Sequence, residues 1–74
     1  MSDPEEINQA MRDFGEILRE CRTKKGLSVR KLGEKASIRY PSISALENGG
    51  NTTLENIVRI VDGLGCRLTI KRKK

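Results

Sequence analysis

The chain has 74 residues, with 15 Lys and Arg against 10 Asp and Glu and no histidine. That length makes one domain with a small core, and the net charge of +5 favours a polyanionic partner. The missing histidine removes the commonest general base and metal ligand, and no phosphate loop, nucleophile elbow or metal-spaced cluster is present, so no enzyme, cofactor or metal site is expected.

The first element is announced by Asp3-Pro4-Glu5-Glu6: a cap, a proline at the first helical position and a glutamate three residues after the cap. Ile7, Ala10, Met11, Phe14, Ile17, Leu18 and Cys21 then recur at helical spacing. This predicts one helix to Lys25, or two with a break near Gly15, where Asp13 and Glu16 could cap a new start at Phe14. Residues 1–13 read as an N-terminal helical extension, and Gly26 ends the helix. The acidic start and the lack of any apolar run near about 18 residues argue against a signal peptide or a membrane span. Cys21 and Cys66 each fall in an apolar row, so both are expected as reduced core residues in a cytoplasmic setting.

Residues 26–49 predict two short amphipathic helices joined by a tight turn. Ser28 caps the first, with Val29, Leu32 and Ala36 facing inward. Ser37 to Arg39 make the turn and Ile38 points back to the core. Tyr40 or Pro41 opens the second, Ile43 and Leu46 anchor it, and Gly49 ends it. Its outer face, Tyr40, Ser42, Ser44, Ala45 and Asn48, is small and polar enough for close approach to base edges. This is a helix-turn-helix pattern, whose second helix suits the DNA major groove. Basic residues gather around it (Arg22, Lys24, Lys25, Arg30, Lys31, Lys35, Arg39).

Gly49-Gly50-Asn51 is a loop, and Thr52-Thr53-Leu54-Glu55 is a capping box. Leu54, Ile57, Val58, Ile60, Val61 and Leu64 supply the apolar face of a last helix, which Gly65 stops. The period then changes to two: Cys66, Leu68 and Ile70 alternate with Arg67, Thr69 and Lys71, which predicts a strand over 66–70 before a basic tail at 71–74. A lone strand leaves backbone groups unpaired, so its expected partner is the same strand of a second copy in an antiparallel, two-fold dimer. A strand lying across its own helices, or an extended tail, is the alternative.

The G-L-S of 26–28, Leu32, Ile38, the S-I-S-A-L-E-N-G of 42–49 and the T-L-E-N-I-V-R-I of 53–60 make residues 14–65 resemble the Cro/CI-type (XRE) helix-turn-helix domain. The resemblance implies a mainly α fold: a four- to five-helix bundle of lambda-repressor-like type with a central helix-turn-helix, here followed by the C-terminal strand. Residues 1–74 then form a single DNA-binding domain. The N-T-T-L of 51–54, the following helix and the L-G-C-R-L-T-I of 64–70 are similar to HipB-type antitoxins. That implies paired C-terminal strands, a dimeric repressor on an inverted-repeat operator of its own operon, and a HipA-like or other toxin as partner. The acidic first helix, with Asp3, Glu5, Glu6, Asp13 and Glu16, offers the toxin a face.

Base contacts in that family come from the first, second and sixth positions of the recognition helix, here Tyr40, Pro41 and Ala45, with Arg39, Ser42 and Ser44 beside them. The Arg39 fork can bond guanine O6 and N7 together, or can bind a phosphate. Tyr40 either faces DNA or packs over the turn. Phosphate contacts are expected from Asn48, Arg30, Lys24 or Lys25 and the amides opening the recognition helix. The resemblance also pairs Arg22 with Glu47 of L-E-N-G as an ion pair that sets the angle of that helix. Val29 departs from the family, where many members carry a phosphate-binding Gln. With Pro41 and Ala45, it supports an alternative: a protein-interaction adaptor that keeps the fold without binding DNA. RNA is a weaker candidate, since the chain lacks aromatic stacking residues.

Overall fold

The computed structural model describes residues 3–73. Four helices follow one another: α1 (Pro4–Lys24), α2 (Val29–Ala36), α3 (Tyr40–Glu47) and α4 (Leu54–Gly63). The starts of α1 and α2 fall where their caps stand, whereas α4 is capped one residue later than expected, by Thr53 instead of Thr52, so that Asn56 and not Glu55 is the third helical residue and the expected capping box does not form. The Asp3 carboxylate accepts from the Glu6 amide at 2.8 Å, and the Glu6 carboxylate accepts from the Asp3 amide at 3.2 Å. Ser28 Oγ accepts from the Lys31 amide at 3.0 Å, and Thr53 Oγ1 from the Asn56 amide at 3.2 Å. Each bond satisfies an amide that has no partner inside its own helix.

The four helices close on one core of Leu18, Leu32, Ile43, Leu46, Ile60, Val61 and Leu64, with Phe14, Cys21, Leu27, Val29, Ile38 and Ile57 packed around it. Several residues of the apolar rows stay outside. Ile7, Ile17, Leu54 and Val58 are between 48% and 67% exposed. The core is too small to receive the whole apolar face of α1 and α4, so those faces are only partly covered. Cys21 and Cys66 are free thiols; Cys21 packs against the core as expected, but Cys66 does not, because it follows the end of α4 in a segment that leaves the core, and it is exposed.

α1 runs unbroken through Gly15, which settles the choice between one helix and two. The glycine serves packing instead. It is buried where α1 crosses the last turn of α3, and a Cβ there would collide with the carbonyl oxygen of Leu46 and lie 2.8 Å from that of Glu47. In an open helix Gly→Ala stabilises by about 1 kcal/mol. Here Gly15→Ala should instead destabilise by about 1–3 kcal/mol, because two backbones must separate. Urea unfolding checks the sign; a gain in stability would mean that the crossing is loose.

The C-terminus departs from expectation. Among the described residues no strand forms, and residues 66–73 carry no regular structure. Leu68 is 39% exposed and Ile70 93%, and neither joins the core of its own chain. The physical reason is that a strand is defined by a ladder, and a single chain with no other strand has nothing to pair with. The helix count is likewise four, since nothing helical follows Gly63 among the described residues. Lys74, the end of the basic tail, and Met1 and Ser2 lie outside the described residues.

Candidate nucleic-acid interface

α2 and α3 are joined by three residues. Ser37 caps α2 in the left-handed region at φ 58°, which turns the chain sharply, and the Ile38 amide donates to the Gly33 carbonyl at 2.9 Å. Ile38 then packs against the core as expected. Gly33 allows the turn to close, because a Cβ there would lie 2.8 Å from the Ile38 carbonyl oxygen. α3 begins at Tyr40 with Arg39 at its cap, and Pro41 sits in the first turn. Pro41 has no N–H and the Ser42 amide donates to the Arg39 carbonyl at 3.1 Å, so neither offers a free amide to an anion.

The outer face of α3 is open. Arg39, Tyr40, Pro41, Ala45 and Asn48 are exposed, and Ser42 and Ser44 are half-buried. Ile43 and Leu46 hold the opposite face in the core. A shallow cleft of about 550 Å³ runs between α2 and the start of α3, lined by Arg30, Glu34, Arg39, Tyr40 and Pro41. Tyr40 is 43% exposed, with the Arg30 guanidinium 5.1 Å from its ring centroid.

Arg22 and Glu47, far apart in sequence, meet across the α1–α3 crossing. Arg22 Nε donates to Glu47 Oε2 at 2.6 Å and Nη2 to Oε1 at 3.0 Å, a bidentate pair. Arg22 Nη1 also donates to the Leu27 carbonyl at 2.8 Å, tying in the loop before α2. The side chains are 14% and 3% exposed. The hydrogen bonds that Arg22 donates to the Glu47 carboxylate, more than the charge of that carboxylate, raise the Arg22 pKa above its ordinary value against the opposing effect of burial. The guanidinium therefore stays charged at any working pH.

Arg19 was not singled out from the sequence, yet it joins this network. Its Nε donates to Glu47 Oε1 at 3.3 Å and its Nη2 to Asn48 Oδ1 at 3.0 Å. Asn48 Nδ2 in turn donates to the Ser44 carbonyl at 2.9 Å, which anchors the end of α3. The readable signal was position: Arg19 stands one helical turn before Arg22 on the same side of α1. With one carboxylate facing two guanidinium groups, the network keeps a net positive charge, and the Arg19 side chain is 49% exposed at its edge.

The other expected phosphate ligands are spread out. Arg30 lies in the cleft beside Tyr40. Lys24 and Lys25 are exposed at the end of α1, but the Lys25 ammonium lies close to Gly65, beyond α4, and not among the α2–α3 residues. Among the described residues no group of His, Cys, Asp and Glu is placed to hold a metal ion, and no helix is long and apolar enough to cross a membrane. Residues 18–71 match the Helix-turn-helix family (HTH_3). No curated protein matches the chain.

Proposed function

The chain belongs to the Helix-turn-helix family of Cro/CI type, a non-enzymatic DNA-binding fold, and on that premise we propose that it is a sequence-specific, double-stranded-DNA-binding transcriptional regulator. It acts as a dimeric repressor on an inverted repeat in its own operon. The observation that carries this reading is the open outer face of α3, small and polar at its middle and flanked by Arg39 and Tyr40, on a helix whose other face is locked by Ile43, Leu46 and Glu47. Such a helix can enter the major groove without rearranging. Arg39, Tyr40, Pro41, Ser42, Ser44 and Ala45 read bases. Asn48, Arg30, Lys24 and Lys25 hold phosphates.

Binding-site selection on random duplex tests the assignment residue by residue. Arg39→Ala or Tyr40→Ala should change the preferred sequence, by about 1–3 kcal/mol per lost base contact. Asn48→Ala or Lys25→Ala should weaken all sequences alike. An Arg39→Ala protein that returned the wild-type consensus at uniformly lower affinity would make Arg39 a phosphate contact only.

The dimer rests on the C-terminal segment. Cys66, Leu68 and Ile70 are exposed in the single chain. Antiparallel pairing of residues 66–70 with their copy would satisfy the backbone and bury those side chains. It would also set two recognition helices about one DNA turn, roughly 34–36 Å, apart. Deleting residues 66–74 should give a monomer with lower stability and much weaker operator binding, measured by sedimentation and gel shift. A dimer that survives the deletion would move the interface to the helices, with α4 first among them.

The similarity to HipB-type antitoxins adds a partner, a HipA-like or other toxin. One observation favours a protein-binding face away from the α2–α3 cleft. A groove of about 390 Å³ runs beside the first half of α1, floored by Ile7, Met11, Phe14, Leu46 and Ile57 and edged by Glu6. If DNA binding were absent, the same groove would support the adaptor reading, and the gel shift separates the two.

A further inference from the structure

We infer that Arg30, on the first helix of the motif, is a positioning residue for Tyr40 and so sets base preference at a pair it does not itself read; this rests on the DNA-binding reading above. The sequence offers Arg30 as a phosphate ligand and Tyr40 as a base reader, with nothing to link them. The structure links them directly, with the Arg30 guanidinium 5.1 Å from the centroid of the Tyr40 ring. Gly33 makes this possible. It lies one turn after Arg30 on α2, and even a Cβ there would come 3.4 Å from the Tyr40 amide nitrogen, so α2 and the first residue of α3 are in close approach.

Tyr40 needs such a brace. It is the first residue of α3, the cap residue before it makes no side-chain cap bond, and its ring is 43% exposed. With nearly half of its surface in solvent, the ring is less tightly held than a core side chain. A guanidinium over the ring face supplies a further hold, because the ring's negative face attracts the cation. Arginine suits the task better than lysine. Its planar group stacks on the ring by one face, while the N–H donors at its edge stay in plane and free for a phosphate. One residue therefore can hold the backbone of the DNA and aim its neighbour at a base. Glu34 lines the same cleft, but it lies within 3.7 Å of Lys31, which partly neutralises it.

The test has a part without DNA and a part with it. In proton NMR of the free protein, the side-chain CH₂ protons of Arg30 should be shifted upfield by the ring current of Tyr40, the only tyrosine in the chain. The shift should persist in Tyr40→Phe and vanish in Tyr40→Leu. Binding-site selection then compares wild type, Arg30→Lys and Tyr40→Leu. Preference is a ratio of affinities within one protein, so a uniform change in phosphate attraction cancels. Arg30→Lys should relax discrimination by about 2- to 5-fold at the same base pair that Tyr40→Leu affects, as expected for an exposed cation–π contact. An Arg30→Lys consensus identical to wild type overturns the inference, and so does an unshifted Arg30 in the free protein. A shifted Arg30 in a protein that binds no duplex at low salt overturns the DNA-binding reading itself, and the inference with it.

Discussion

Raising the salt from about 50 to 200 mM should weaken duplex binding by roughly 10³–10⁵-fold, if a dimer neutralises about 6–10 phosphates. The expectation follows from where the charge sits. Lys24, Lys25 and Arg30 are exposed, and the half-exposed Arg19 adds a further cation at the edge of α3. Two subunits carrying three or four such groups each reach the stated range. Each neutralised phosphate releases condensed counterions, so the logarithm of affinity falls with the logarithm of salt at about −0.9 per phosphate. Arg67, Lys71, Arg72 and Lys73 are also exposed and would steepen the slope if the tail reaches the DNA. Fluorescence anisotropy across that salt range measures it. Replacing one true phosphate ligand should lower the slope by about 1. A flat response would remove DNA as the partner and leave the adaptor reading standing.

Breaking the Arg22–Glu47 pair should cost the fold about 3–5 kcal/mol, since it leaves a charge buried without its partner. The pair is bidentate and its side chains are 14% and 3% exposed, so removing Glu47 leaves the Arg22 guanidinium largely out of water with the Leu27 carbonyl as its remaining acceptor. Glu47→Ala should therefore lower the melting temperature by about 12 °C or more, using roughly 4 °C per kcal/mol as the lower bound for a domain of this size. For so small a core that can abolish folding. Arg19→Ala is the control on the same carboxylate. Its side chain is half exposed, and its loss should cost no more than about 1 kcal/mol. A double-mutant cycle on Arg22 and Glu47 isolates their coupling. Coupling near zero would mean that the recognition helix is held by Ile43 and Leu46 alone. Because the folded-state pKa of Arg22 is raised, the stability tied to its charge is full below the unfolded-state value and is lost as the pH climbs through the raised one. A change of pH near neutrality should therefore leave the Arg22 guanidinium charged.

Helix positions were legible because their signals are local. Asp3, Ser28 and Thr53 each bond an amide three residues ahead, so cap and helix start lie within one turn of sequence. The turn at Ser37 to Arg39 and the inward side chains Leu32, Ile38, Ile43 and Leu46 followed from spacing in the same way. The partnership of Arg22 with Glu47 came through family resemblance, since nothing local specifies a contact between positions 25 apart in sequence.

Tertiary structure alone decided the rest. Helical spacing shows that Gly15 lies within a helix, but not that another helix crosses there; the crossing depends on Leu46 and Glu47, about thirty residues away. Periodicity likewise marked Ile17, Leu54 and Val58 as apolar without showing that the core would fill before reaching them. Arg19 needed the placement of Asn48, and Arg30 the placement of Tyr40, before either showed what it touches. At the C-terminus alternation at 66–70 marks a segment able to pair, while pairing itself requires a second strand that one chain does not hold. The amino-acid order by itself determined which segments are helices and which residues face outward on α3. How those helices approach, and hence which charges meet, depended on packing between residues distant in the chain.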